Sequence, residues 1–332
     1  MNPWRSWESC SVWWYRSGRI REKKVKGLEL SHRYFNTVVR PAFQREFPDD
    51  FSLLAFGLSG PGSECYGWDD EISRDHDWGP KVFIWTPDDL FERKGVVLQE
   101  LYDSLPGECC GFGPMNRKDT GIPRDGVLPV SVFFKNLLGM DHAPGDILEW
   151  FRVKEEDLSL CTNGEVFFDG PGSFSRIRAD LGVYYPRDVW LKKTASRCFM
   201  CAQYGQYNLW RSWKRGDVPA VEYDRAMFAR EAAALTFLLE KRYRPYYKWQ
   251  FRALRELGGL GLRVAGLLEE LYRRRDPEDY HQVIEECSSL LKAKTGRLLD
   301  IGQEGNFLQD TAFQVQKLIE DRFLREDTGF VE

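Results

Sequence analysis

Asp75 and Asp77 flank His76 in a segment that opens with Gly62 and Ser63, with residues 64–74 between the two pairs. Acidic residues two apart mean little by themselves in a chain that carries 51 of them. Their placement is what matters. The apolar run 51–58 reads as a strand feeding the turn Ser59-Gly60-Pro61-Gly62-Ser63, and a second run, 81–85, reads as a strand entered from the acidic segment. Residues i and i+2 of a strand share a face, so Asp75 and Asp77 are expected to converge while His76 points away. Converged carboxylates repel unless a cation neutralises them. An oxygen-only set with few protein ligands suits Mg²⁺ (or Mn²⁺), which keeps waters and takes substrate phosphates. The Gly62-Ser63 turn is expected to present backbone N–H groups at a helix start, where an anion is stabilised. Together these features predict a clamp for a triphosphate and its metal.

The elements around this segment divide the chain. Residues 28–43 carry apolar side chains at helical spacing, with Pro48 beyond them. Pro87, Asp88 and Asp89 open a helix that runs to about residue 104. A Gly- and Pro-rich loop is expected over 106–126, and strands over 127–134 and 165–168. Beyond Pro186 the pattern turns almost wholly helical, over 188–209, 220–243, 246–272, 277–294 and 308–325. The expected domains are an α/β unit over 26–180 and a helical unit over 181–332. Residues 1–25, with Trp4, Trp7, Trp13 and Trp14 and no period, read as an arm outside the fold. An upstream extension with the true start near Val25 and an aromatic-anchored arm are equally good accounts of it.

Composition narrows the class of protein. With 47 Lys and Arg against 51 Asp and Glu, the net charge of −4 gives no overall basic field for nucleic acid. The basic run Arg273–Arg275 is too short to carry RNA binding and suits a solvated helix end. No stretch approaches the ~18–20 apolar residues of a membrane span, and no apolar leader is visible. Cys198 and Cys201 are spaced like half a zinc site without its partners, so buried reduced thiols in a cytoplasmic protein are expected instead.

The turn, the spacing and the acidic pair resemble the nucleotidyltransferase superfamily that includes DNA polymerase beta, kanamycin nucleotidyltransferase and the minimal nucleotidyltransferases. In detail the chain is similar to the domain-of-unknown-function family 4037. That likeness is carried by Lys26–Ser31, Gly62–Asp77, Val166–Gly170 and Tyr184–Trp190, and extended by Arg215–Asp217 and Tyr243–Trp249. It spans roughly 26–260. It implies an α+β nucleotidyltransferase-like domain, a mixed sheet flanked by helices, followed by an all-α helical bundle. The implied reaction moves a nucleoside monophosphate from a nucleoside triphosphate, ATP by first expectation, to an acceptor hydroxyl with release of pyrophosphate. Asp75 and Asp77 would hold the metal, and Gly62 and Ser63 the β- and γ-phosphates. A small-molecule acceptor is favoured, bound between the two domains. An inactive nucleotide-binding regulator and an RNA-modifying enzyme are the alternatives.

The superfamily also supplies a third carboxylate from a neighbouring strand. The run 127–132 contains no acid, which leaves Asp169 at the end of one strand or Asp125 just before another. Asp169 precedes Gly170-Pro171-Gly172 and serves equally as turn chemistry. Lys248, fixed among aromatics in Tyr243–Trp249, is a phosphate-binding candidate across the cleft; a helix joint with packed aromatics explains it as well. Arg215, with Arg211 and Asp217, is a weaker candidate for the same cleft. Glu64, Asp69, Asp70 and Glu71 crowd the expected metal site.

Overall fold

The computed structural model describes residues 25–115, 123–302, 305, 307–327 and 329. The expectations for residues 1–24 lie outside these. The expected class holds: a mixed sheet flanked by helices leads into a chain that is helical from Pro186 onward.

Four short strands form the sheet: β1 (Ala55–Leu58), β2 (Phe83–Thr86), β3 (Gly126–Pro129) and β4 (Glu165–Asp169), in the order β3-β2-β1-β4. β1 runs antiparallel to β2 and β4, and β2 runs parallel to β3. Register then decides what meets. Gly57 faces Phe83, and Phe83 faces Gly126. The turn leaving β1, the segment entering β2 and the residues entering β3 therefore share one end of the sheet.

In the front half, α1 (Gly27–Tyr34) and α2 (Arg40–Glu46) are joined by a π-helical turn over Phe35–Val39, and α3 spans Asp88–Ser104. The run 127–134, expected to be all strand, stops at Pro129 and continues as α4 (Val130–Leu138). Pro129 at the N-cap and Gly139 at φ +77° beyond the last turn mark this helix, so local capping overrides the strand propensity of Val, Ser and Phe. Three helices escaped the periodicity reading: α5 (Ile147–Arg152), α6 (Glu155–Thr162) and α7 (Ser173–Gly182). The rear half comprises α8 (Arg187–Cys201), a π-helical stretch over Ala202–Asn208, α9 (Leu209–Lys214), α10 (Val218–Leu239), α11 (Tyr247–Glu256), α12 (Gly259–Arg273), α13 (Pro277–Leu299), α14 (Leu308–Lys317) and α15 (Arg322–Glu326). The helix expected over 246–272 breaks at Gly258, whose φ of +67° suits glycine.

Both faces of the sheet are buried, which accounts for the aromatic-rich composition. Val82 and Ile84 point toward α1, α2 and α3 with Phe35, Phe43 and Phe56. Phe83 and Trp85 point to the other face, where the Trp85 ring stacks on Phe174 at 3.7 Å beside Phe133 and Phe134. That second core continues into Leu191 of α8, Leu238 of α10 and Val315 of α14. Apolar packing thus crosses residue 180, and α7 itself spans that position. A third core, around Phe228, Ala232, Leu254 and Leu268, holds the helices of the rear half. No helix among the described residues is long and apolar enough to cross a membrane.

Candidate functional site

β1 ends at Leu58, and the chain must turn at once because α6 and the Asn163-Gly164 turn stand in front of it. The Asn163 side chain accepts from the Gly60 N–H and donates to the Gly60 carbonyl, both at 2.9 Å. Ser59 donates to the Leu160 carbonyl at 3.1 Å. Gly164, at φ +66°, lies so close that a Cβ there would meet the Leu58 carbonyl oxygen at 1.9 Å. The far side of the turn is equally constrained: a Cβ on Gly62 would fall 2.5 Å from the Glu64 carboxylate. Arg124 donates to the Pro61 carbonyl at 2.6 Å. The turn is therefore held on several sides before any ligand enters.

A cavity of about 450 Å³ opens at this end of the sheet. Gly62 and Ser63 line it, together with Asp75, Asp77 and Lys248. Four of the sequence candidates thus come from the front half and one from α11. Trp68 brings the halves together: its indole donates to Glu256 at 2.8 Å, and Arg252 donates to its carbonyl at 2.9 Å. Lys248 is exposed, with its ammonium 5.2 Å from the Trp249 ring centroid.

Two local expectations are corrected. Strand geometry does not position the acidic pair, because β2 begins only at Phe83, after Trp78, Gly79 and Pro80. Asp75 closes a 3-10 turn over Ile72–Arg74 in right-handed helical conformation, and Asp77 adopts φ +52°, a left-handed conformation that Asp tolerates better than most residues. His76 therefore does not point away. It lines the cavity, and its Nδ1 lies 2.6 Å from Asp75 Oδ1. Nor does a full helix follow Ser63. A single 3-10 turn, Glu64–Tyr66, stands there, too short to sum an appreciable dipole. What the turn offers an anion is its backbone N–H groups and the Ser63 hydroxyl.

The remaining candidates go elsewhere. Asp169 pairs with Ala55, at the far end of β1 from the cavity. Its two oxygens accept from the Gly172 and Ser175 N–H groups, each at 2.8 Å, so it caps α7. Replacing Asp169 by Ala is expected to lower stability by about 1 kcal/mol in urea unfolding and to leave nucleotide binding unchanged. Asp125 accepts from the Tyr102 hydroxyl at 2.9 Å on the α3 side and does not line the cavity. Arg215 ends α9 on the surface, in the turn that Asp217 closes by capping α10 at the Ala220 N–H.

Two cations of the site were missed by the sequence reading. Lys81, almost wholly buried, sits 2.5 Å from Glu64 Oε1 and donates to the Asp77 carbonyl at 2.5 Å. Arg124 approaches Asp77 Oδ2 at 3.9 Å. Neither stands in a motif, and only the parallel pairing of β3 with β2 brings Arg124 beside the turn. Asp70 also lines the cavity, and its hydrogen bonds from Ser73 hold its carboxyl below the usual carboxylate range.

Among the described residues, no three His, Cys, Asp or Glu side chains stand together as a ready ligand set. Beside the His76 imidazole, the donors that line the cavity are hard oxygens: the carboxylates of Glu64, Asp70, Asp75 and Asp77 and the hydroxyls of Ser63 and Ser73. This chemistry fits Mg²⁺, which takes one or two carboxylates and completes its shell with water and substrate phosphates. Cys198 and Cys201 lie buried within α8, and burial pushes the Cys198 thiol up to about 12. Both are expected to resist alkylation in the native state, whereas exposed Cys110 reacts; peptide mass spectrometry reads the difference.

No curated protein matches the chain. Among solved structures it is similar to a nucleotidyltransferase-like protein from Exiguobacterium sibiricum, at 10% identity over 84% of this chain and 80% of that one, with a TM-score of 0.39. A family match covers the segment that contains Asp169, Arg215 and Lys248 and ends before α12. Residues 150–250 match the family described as "Domain of unknown function (DUF4037)".

Proposed function

We propose that the cavity at the end of β1 binds a nucleoside triphosphate and that the protein transfers its nucleoside monophosphate to an acceptor hydroxyl. The observation that carries this reading is the meeting of Gly62, Ser63, Asp75, Asp77 and Lys248 in one cavity. In the proposed reaction the acceptor oxygen bonds to the α-phosphorus as the bond from that phosphorus to the bridging oxygen breaks. Pyrophosphate leaves, and the hydroxyl proton passes to solvent.

The chain's own part is positioning and charge. The Gly62-Ser63 turn donates to the terminal phosphates, and Lys248 supplies a cation from the opposite wall. Lys81 and Arg124 brace the turn and the Asp77 segment, so that the phosphate donors need not reorganise. A bound Mg²⁺, held by Asp75 and Asp77, would neutralise charge that develops on the phosphates. The small-molecule acceptor of the proposal enters between the turn and α11, where Tyr246 and Trp249 also line the wall.

A second reading, nucleotide binding without transfer, draws on a specific observation: neither Asp125 nor Asp169 lines the cavity. Pyrophosphate release with each nucleoside triphosphate, Mg²⁺ and a panel of acceptors separates the two. Release that depends on Asp75 and Asp77 supports transfer. A metal-dependent thermal shift without release supports the regulator.

A further inference from the structure

A second cavity, of about 430 Å³, adjoins the same turn: Ser63 and Glu64 line the first, Cys65 and Tyr66 the second. Its charged lining residues are Arg178, Lys241 and Arg242, and no acidic residue lines it. Arg178 has no ion-pair partner among the described residues. Its Nη2 donates to the Thr162 carbonyl at 2.9 Å, while Nη1 is buried with no hydrogen-bond partner. Burial also lowers the affinity of this guanidinium for its proton, and the neighbouring groups that oppose this are only the thiols of Cys161 and Cys65. A buried cationic donor left unmatched is costly unless something anionic completes it.

Lys241 and Arg242 follow the end of α10. The Lys241 N–H bonds to the Leu238 carbonyl and the Arg242 N–H to the Phe237 carbonyl, the closure of a helix whose next residue turns left-handed. Lys241 occupies that left-handed position at φ +51°, where glycine would sit without strain. The helix dipole accounts for cations at this end. It does not account for the half-buried Arg178, which lines the same cavity from α7. Ser159 and Thr162 add hydroxyls and Asn163 an amide to the same wall.

We propose that this cavity is an anion site, distinct from the nucleotide cavity, that takes the phosphate group of a small phosphorylated molecule or free phosphate. Three cations suit a dianion. The volume accommodates a phosphate with a compact organic portion.

Titration calorimetry of the full chain in EDTA tests it, with inorganic phosphate, glucose 6-phosphate and neutral glucose as probes. EDTA removes the divalent ion on which the nucleotide cavity depends, and an Asp75→Asn/Asp77→Asn variant is expected to bind the probes as the wild type does. The wild type is expected to bind at least one phosphate probe and not glucose. Binding of the ester alone identifies an organophosphate site, and equal binding of both identifies a site for the phosphate group itself. Arg178→Gln should weaken binding about tenfold. Because Arg178 also supports Thr162, the exposed pair Lys241→Gln/Arg242→Gln provides an independent loss of similar size. Absence of heat with either phosphate probe overturns the proposal. So does unchanged affinity in Lys241→Gln/Arg242→Gln together with loss in Lys248→Ala, which would assign the anion to the first cavity.

Discussion

Replacing Asp75 and Asp77 by Asn is expected to lower Mg²⁺-dependent pyrophosphate release by at least about 100-fold, the scale on which loss of preorganised charge stabilisation acts in transfer reactions. The fold should survive. Asp75 is well exposed and pairs with its neighbour His76, and the change is nearly isosteric at both positions. The unfolding midpoint should therefore shift by no more than a few degrees. The single variants carry different information. Asp77 is the more enclosed of the two, beside Arg124, so Asp77→Asn should cost more turnover than Asp75→Asn. Equal release by the double variant and the wild type would remove both residues from the reaction. Retained nucleotide binding with no release in the wild type would leave the regulator as the surviving reading.

That pair illustrates how residues can share a cavity although the local geometry expected of them is wrong. The sequence marks the turn at Gly62 and Ser63 and the acids that follow it, because glycine, proline and carboxylates punctuate the chain visibly. The expected convergence relied on strand alternation, and the strand starts too late. The acids reach the same cavity through a 3-10 turn and a left-handed Asp77, conformations that no periodicity announces. Asp169 failed for a different reason. Its motif is visible, but its position depends on the pairing of Ala55 with Asp169, a contact over more than a hundred residues that decides which end of the sheet it occupies. Lys81 and Arg124 were missed for the same cause, since both matter only through partners distant in sequence. Lys248 was legible as a cation among aromatics, and Trp68, which seats α11 against the turn, supplies the position that the sequence left open. The helical rear half was the easiest to read, because one buried face repeats over many turns.

Lys81 should be the most destabilising single substitution at the site. Its side chain is 2% exposed and that of Glu64 6%, so Lys81→Met leaves a carboxylate buried beside Gly62 without its cation. Breaking such a pair from one side costs about 3–5 kcal/mol, to be read as a large drop in the urea unfolding midpoint. Removing both charges is a different experiment. Lys81→Met/Glu64→Gln should recover much of that loss, because the desolvation of both ions is avoided. A Lys81→Met cost below about 1 kcal/mol would mean that the pair does not hold the turn. The double variant also isolates the functional role of the lysine. Its ammonium bonds the Asp77 carbonyl as well as Glu64, so it ties the Gly62-Ser63 turn to the acidic segment. A chain restored in stability yet deficient in pyrophosphate release would assign that tie to the alignment of the two halves of the clamp. Restoration of both would make the pair a matter of folding alone, with the cavity shaped by Arg124, Asn163 and the sheet register.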